Sequence, residues 1–560
     1  MARKDLFAPA SRLPSTDCVN EAGGDAYAFS AEHALAQYAV TGTFNRTFYA
    51  HEAEQLEKTL ALCSAVAPEF IAKTALYARE RGFMKDMPAF LTAVLAAKDV
   101  RLLAAVFPRV VDSGKMLRNF VQIIRSGVAG RKSFGSAPKR LCQEWFAKRS
   151  PDNVFRQSLG NDPSMADVIK MVRPKPAKLE NGAYGEKDVT REALYGYLIG
   201  KQLPEAVAEN LPPLVRAFES FKAGKGDVPE VPFEMLTALD LDTEKWSKIA
   251  ESMTWTQTRM NLATLARHGV FSNPTRKRGE AMTSIVAARL RNPELIRRAR
   301  AFPYQLLAAF KAASQVGATV PAEITMALQQ AMEIAIENVP VLESAQGKSM
   351  KVYLCPDVSG SMQSPVTGGR KGSTTAVRCL DVAALVAAAF LRRNPSATII
   401  PFSDDVVPPP RPINPLDSVM TNAHLLASLP SGGTACSAPL RQLNERKSKG
   451  DLVIYVSDNM SWADFATPAK QQRAYRKNAT IMAEEWETFC DRNRGAKLVL
   501  IDLQPNASTQ VVGVRKHSDE GANVLNVGGF SDSVFQLVSL FSRGELGGDH
   551  WVREIEKMVL

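Results

Sequence analysis

The hydrophobic pattern of this chain changes once, after Ser344-Ala-Gln-Gly-Lys348, and that change constrains the fold most. Before it, residues 50–340 carry recurrent Ala- and Leu-rich stretches separated by short Gly- or Pro-bearing breaks. That is the pattern of successive helices, with no strand signal. After it, apolar runs of strand length alternate with helical stretches. Strands are expected over 351–356, 397–403, 451–457 and 497–503, with a last one near Asn523. Helices are expected over 375–393, 435–446, 467–490 and 531–542. This alternation predicts a parallel, doubly wound α/β sheet, in which ligands bind beyond the carboxyl ends of the strands.

The earlier helical stretches are 51–67, 70–82, 89–97, 101–113, 117–127 and 137–149, then 191–198, 244–268, 281–290, 294–300, 304–313 and 324–338. Many short helix pairs imply an all-α, HEAT-like superhelix with a curved surface. The Arg173–Lys178 and Phe221–Pro232 stretches read as exposed loops. The resulting division is an N-terminal extension over 1–30, a helical module over 31–345 and an α/β domain over 346–560.

Asp357-Val-Ser-Gly-Ser361 closes the apolar run Lys351–Cys355, so one carboxylate and two hydroxyls leave the carboxyl end of a buried strand. Thr434 follows Gly432-Gly433, and Asp458 ends the second apolar run from Asp451. All three pieces fall on one sheet edge. Oxygen-only ligands with few charges and several hydroxyls suit Mg²⁺, or another divalent cation at the same place. A buried Asp357 without partners faces a desolvation penalty of several kcal/mol, for which a cation compensates. The plainer alternative is a turn in which these residues only cap a helix.

The net charge of +11 is uneven: residues 1–340 hold 45 basic and 36 acidic side chains, residues 341–560 hold 24 and 22. Arg109 to Arg149 carries ten basic residues against Asp112 and Glu144, and Arg259 to Arg300 repeats that ratio against Glu280 and Glu294. Such excess fits either a polyanion partner or a solvated basic face. Seven cysteines, odd in number, scattered and never Cys-x-x-Cys, argue for a reducing compartment and against structural zinc. The amino terminus has no long apolar core, and no run of 18 apolar residues exists, so a cytoplasmic protein without a membrane span is expected.

The Asp-x-Ser-x-Ser, Gly-Gly-Thr and Ser-Asp set resembles the metal-ion-dependent adhesion site of von Willebrand type A domains, over roughly residues 348–560. That resemblance implies Asp357, Ser359, Ser361 and Thr434 as Mg²⁺ ligands, with Asp458 holding the ion directly or through water. It also implies an open position for an acidic group of a partner. The neighbouring loop Gly368-Gly-Arg-Lys-Gly-Ser373 reads either as a place to greet an anion or as a connector.

Met253-Thr-Trp-Thr-Gln-Thr-Arg-Met-Asn-Leu-Ala-Thr-Leu-Ala-Arg-His-Gly-Val-Phe271 resembles a signature of the TROVE-module, Ro-type RNA-binding proteins of bacterial flavour. Phe134–Phe146 is similar to that family's basic-then-aromatic helix. Ser164–Pro176 is similar to its Ser-His-Lys-Asp-Leu-Leu-Arg-Leu-Ser-His-Leu-Lys-Pro segment. In this chain Met165 and Arg173 replace the two histidines and Ala166 replaces a lysine, while Lys170, Arg173 and Lys175 keep the segment basic. A TROVE module followed by a von Willebrand type A domain is the family's order. The resemblance implies a ring closed by the metal-binding domain. It further implies binding of Y-type noncoding RNA and of single-stranded 3′ ends of misfolded RNAs, quality control or decay beside an exoribonuclease, and a monomer.

For phosphate contact the candidates are Arg131, Lys132, Lys139, Arg140, Lys170, Arg173, Lys175, Arg259 and Arg267, whose cations would release counterions. Arg259 and Arg267, eight apart, would lean to one groove if they share a helix. His268 and Trp145 are candidates to stack on unpaired bases, or else a helix cap and a core residue. Catalysis finds little support. Gly347-Lys348-Ser349 lacks the upstream glycine of a phosphate loop, since Leu342 stands there, and Asp404-Asp405 has no further carboxylates beside it in sequence. No enzyme is expected. The reading from another class is a protein-interaction scaffold built on the metal site, and a metal-dependent nuclease is a weaker third.

Overall fold

The computed structural model describes residues 13–41, 44–131, 133–272, 276–299, 301, 303–315, 320–337, 339–366, 369, 377–465, 479–512, 523–529, 532–548 and 550–560. Lys132 lies outside these residues, as does the 368–373 loop apart from Gly369. The chain forms two compact units. One comprises Met1–Thr59, Ala287–Gln315 and Ala322–Glu554; the other comprises Leu60–Val286, Val316–Pro321 and Ile555–Leu560. The expected order, a helix-rich part followed by a parallel α/β sheet, is the one observed.

In the helical unit, helices Pro68–Glu80, Asp86–Lys98, Val100–Val110, Gly114–Ser126 and Ser136–Ala147 pack on near neighbours in sequence. Local chemistry sets their ends. The Ser113 hydroxyl accepts the Met116 amide at 3.3 Å to start Gly114–Ser126, and Gly127, at φ +79°, stops it in a left-handed turn. Met116, Leu117, Phe120, Val121 and Ile124 bury one face of that helix.

Two expectations for this unit are corrected. The loop expected over Arg173–Lys178 ends at Pro176, where β3 (Ala177–Glu180) and β4 (Ala183–Lys187) begin an unexpected antiparallel hairpin. Its turn is Asn181-Gly182, both residues at positive φ (+50° and +81°), as a two-residue hairpin turn requires. The stretch 244–268 is three helices, Thr243–Ser252, Trp255–Met260 and Leu262–Arg267. Thr254 restarts the chain with a capping box: its hydroxyl accepts the Gln257 amide at 3.3 Å and its own amide donates to Gln257 Oε1 at 2.9 Å. Asn261 then breaks the path again, donating its side chain to the Gln257 carbonyl at 2.8 Å.

The other unit holds a five-stranded parallel sheet, with β5 (Val352–Pro356), β6 (Thr398–Ile399), β7 (Leu452–Ser457), β8 (Lys497–Asp502) and β10 (Val524–Gly528) in the order β10-β8-β7-β5-β6. Alternate residues face one layer: Tyr353, Cys355, Val453, Tyr455, Leu498 and Leu500 share a core with Leu440, Trp486 and Phe489 from helices Ala438–Glu445 and Ile481–Arg492. Helix Cys379–Arg393 packs on β5 and β7. The strand expected over 397–403 shrinks to two residues, and helix Val419–Ala427 was not expected. Residues before 30 also take part. β1 (Cys18–Val19) pairs with β2 (Asp25–Ala28), which pairs with β9 (Ser508–Thr509). Helix Ala31–Thr41 sends the Gln37 side-chain amide to Asp502 Oδ2 at 2.6 Å.

Candidate functional site

Strand β5 lies between β6, where its chain continues, and β7, whose chain continues the other way to β8. The crevice between β5 and β7 is therefore the switch point at which such sheets bind ligands. Register does the rest. Pro356 pairs with Val456, so the next residues, Asp357 and Ser457, stand side by side. The Ser457 hydroxyl donates to Asp357 Oδ2 at 2.5 Å, and the Ser359 amide donates to Asp357 Oδ1 at 2.8 Å. Ser359 and Ser361 hydroxyls lie 3.2 Å apart. The Gly360 amide donates to the Gly432 carbonyl at 2.9 Å, which draws the Thr434 loop to the first loop. Asp357, Ser359, Ser361, Thr434 and Asp458, the five expected ligands, are all buried and come together on one edge.

The electrostatics of this cluster are unfavourable without a counter-charge. Burial, then the Asp458 charge, pushes the Asp357 carboxyl up to about 7 despite its hydroxyl and amide donors. Burial also raises Asp458, and the Ser361 hydroxyl offsets part of that. Asp458 Oδ1 accepts the Met460 amide at 3.3 Å, whereas Oδ2 is buried with no hydrogen-bond partner. Two buried carboxylates, one with an orphaned oxygen, beside three hydroxyls form a donor set that fits a hard divalent cation. Among the described residues no cluster of three or more His, Cys, Asp or Glu side chains could hold a metal.

Sequence reasoning missed what surrounds this cluster. Tyr49, some 300 positions upstream of Ser361, hydrogen-bonds Ser361 and Trp462, and burial pushes its hydroxyl up to about 12. Phe48 packs edge-on to Tyr49 with ring centres 4.8 Å apart, and both Phe48 (52% exposed) and Trp462 (41% exposed) face solvent. Asp404, considered from the sequence as an acidic pair with Asp405, accepts the Gly433 amide at 2.7 Å. A Cβ on Gly433 would sit 2.9 Å from the Trp462 ring, so glycine is what lets the loop close here. No sequence pattern announces Tyr49; Ser457 was legible as half of Ser-Asp.

The basic candidates fall into two groups. Lys139 and Arg140 lie on helix Ser136–Ala147, and Gln143 of that helix donates to the Val172 and Arg173 carbonyls at 2.7 and 3.2 Å. That bond joins the helix to the end of Met165–Val172, where Lys170, Arg173 and Lys175 are exposed. Arg173 caps that helix at φ +50°, and Lys175 lies 4.8 Å over the Tyr184 ring. Arg140 is 3.8 Å from Glu144, a distant ion pair at an exposed position. Arg131 is half-buried and donates to the Ala96 carbonyl at 2.6 Å, which commits part of its guanidinium to structure.

The second group borders the cluster built on Phe221, Phe233, Trp246, Ile249 and Leu265, on whose Trp246 ring His268 stacks. Arg259 and Arg267 occupy separate helices rather than one, so spacing along a common axis does not align them. Arg259 lies 5.9 Å over Trp255, and exposed Arg267 donates to Thr264 Oγ1 at 3.2 Å. His268 is exposed and stacks on buried Trp246 with centres 4.2 Å apart and planes at 16°. It also follows the last helical residue, so it both caps and offers a supported ring. Of its two readings Trp145 takes the core one: it is 3% exposed and lies edge-on to Phe146.

Among the described residues, no helix is long and apolar enough to cross a membrane. All seven cysteines are free thiols.

Residues 351–542 match the sequence model of the Ro60 vWA domain. Over nearly its whole length the chain is similar to the RNA-binding protein RO60 of Deinococcus radiodurans, 23% identical over 573 aligned positions covering 96% of this chain and 97% of that one. A Caenorhabditis elegans protein of the same name is 24% identical over 438 positions, 75% of this chain and 62% of the relative. The crystal structure of the Deinococcus radiodurans Ro (Rsr) protein shares the fold, with a TM-score of 0.59 at 20% identity over 92% of this chain and all of that one. The Ro-type resemblance drawn from the sequence holds.

Proposed function

We propose that this Ro-type chain is an RNA-binding protein that holds small Y-type noncoding RNA and single-stranded 3′ ends of misfolded structured RNAs. In this reading it acts in RNA quality control or decay, as an adaptor beside an exoribonuclease in the cytoplasm, and works by binding rather than by chemistry. The observation that carries the reading is the exposed basic edge where helix Ser136–Ala147 meets Lys170, Arg173 and Lys175. It lies in a chain similar along its length to a protein named for RNA binding. Cations on such an edge bind the sugar-phosphate backbone with weak sequence preference, and His268 on its Trp246 support adds a ring face for an unpaired base. Filter binding of a hairpin RNA with a free 3′ tail tests it. Affinity falling steeply between about 50 and 200 mM salt supports the proposal; no binding at the lower salt refutes it.

A second reading concerns the other unit. Asp357, Ser359, Ser361, Thr434 and Asp458 would hold Mg²⁺, and the exposed Phe48 and Trp462 beside them suit a partner that presents an acidic side chain flanked by apolar surface. The bound ion would neutralise the buried carboxylates and offer its remaining position to that partner's oxygen. Pull-down of an acidic partner that EDTA abolishes supports this scaffold role; capture indifferent to EDTA removes it.

A further inference from the structure

A cavity of about 570 Å³ in the helical unit is lined by apolar Phe107, Val111 and Leu141 together with Trp145, Lys148 and Arg149. Its volume is that of small-ligand sites. None of the candidate residues considered so far except Trp145 lines it, and Trp145 does so in an unexpected way. Its ring is buried, yet its indole N–H has no hydrogen-bond partner. A buried donor left unmade costs about 1–3 kcal/mol, which marks this wall of the cavity as incompletely satisfied within the protein.

Arg149 makes the case stronger. Its guanidinium stacks 3.9 Å over the Trp145 ring and donates to the Trp145 carbonyl at 3.0 Å and the Asp112 carbonyl at 2.9 Å. Those bonds fix the group but use only part of the five N–H donors a guanidinium carries. Burial pulls its pKa down to about 10, still far above neutrality, so it remains a cation. Among the described residues it forms no ion pair. The two carboxylates on the cavity wall, Asp112 and Glu144, are the only acids between Arg109 and Arg149, and both are already engaged. Arg79 binds Asp112 at 2.6 Å; Lys148 and Arg140 approach Glu144 at 3.4 and 3.8 Å.

A rigid, partly desolvated guanidinium that forms no ion pair, the Trp145 ring it stacks on and an exposed ammonium line one cavity together with apolar side chains. We propose that this cavity binds a phosphate monoester carried on a flat heteroaromatic unit, that is, one nucleotide. Arg149 and Lys148 take the phosphate oxygens, and Phe107, Val111 and Leu141 receive the base or sugar. The same chemistry is offered by a free nucleoside monophosphate and by the phosphorylated end of an RNA chain. The site stands whether or not the exposed basic edge binds RNA.

Calorimetric titration of the full chain with uridine 5′-monophosphate and with uridine tests the phosphate directly. The nucleotide should bind at least tenfold tighter than the nucleoside, and Arg149→Gln should abolish that ratio. Lys148→Gln, a change at an exposed position that leaves the fold intact, should lower the ratio severalfold, which keeps the proposal testable if Arg149→Gln unfolds. The indole N–H resonance lost in Trp145→Phe should shift on adding the nucleotide. Equal affinity for nucleotide and nucleoside, or an unchanged ratio in both variants, overturns the proposal. A trinucleotide with and without a 5′-phosphate separates the sources: competition by the phosphorylated form alone assigns the site to an RNA end, and its failure to compete assigns it to the free nucleotide.

Discussion

Replacing Asp357 by asparagine removes a buried charge and keeps its shape. The Ser359 amide can still donate to the side-chain oxygen, and the new amide nitrogen can donate to the Ser457 hydroxyl that now donates to Asp357. In the metal-free protein Asp357 is raised from about 3.8 to about 7. Three units at about 1.36 kcal/mol each make close to 4 kcal/mol. A carboxyl whose folded value is raised contributes stability that is fully present below its unfolded value, near pH 4, and is lost as pH rises through about 7. With EDTA at pH 8, Asp357→Asn should therefore be more stable than the natural chain by up to about 4 kcal/mol, and the two should converge near pH 4. Amide exchange in Val352–Pro356 and Leu452–Ser457 reads the opening free energy of the sheet without interference from the helical unit. Adding Mg²⁺ at a hundred times its dissociation constant should return about 2.7 kcal/mol to the natural chain and nothing to the variant. A natural chain as stable as the variant in EDTA at pH 8, or equal gains from Mg²⁺, would refute the reasoning: the carboxylates would then be contented anions without need of an ion.

Replacing Lys170, Arg173 and Lys175 together by alanine should flatten the slope of log affinity against log salt by about 2–3 in RNA filter binding, at about 0.7–0.9 per lost phosphate contact; an unchanged slope removes this edge from the interface. His268→Ala should weaken RNA binding by about 1–3 kcal/mol if its free face stacks on a base, whereas a loss confined to the melting temperature would leave it a cap. Trp246→Ala should destabilise the helical unit by about 3–5 kcal/mol, because a fully buried ring leaves a cavity, as denaturant unfolding will show. Gly433→Val should weaken Mg²⁺ binding in calorimetry, since its side chain meets Trp462 and Asp404; unaltered affinity would show that the loop yields freely.

How much was legible in the sequence depended on distance along the chain. The strands carrying Asp357 and Asp458 are continuous apolar runs, and a doubly wound sheet sends their carboxyl ends to one edge, so the five clustered side chains could be named in advance. Helices with strong apolar faces were legible for the same local reason. Asn181-Gly182 was also a local signal, a plain hairpin turn, but the basic and proline-rich lead into it drew attention toward a loop. The breaks at Thr254 and Asn261 depend on side-chain caps that the apolar rhythm of 244–268 conceals. Tyr49 over Ser361 and Arg149 over Trp145 are beyond such reading, since tertiary packing alone decides which face of a ring or guanidinium is covered.

The pairing of Pro356 with Val456 has a consequence for how the protein matures. Side chains drawn from positions 49, 357, 434 and 458 meet only after three separate loops have docked and two strands have zipped without slippage, because a slip of one residue would turn Asp357 away from Ser457. The cluster is therefore complete only when the assembly is. An ion that waits for it would recognise the finished domain and ignore nascent or misregistered chains.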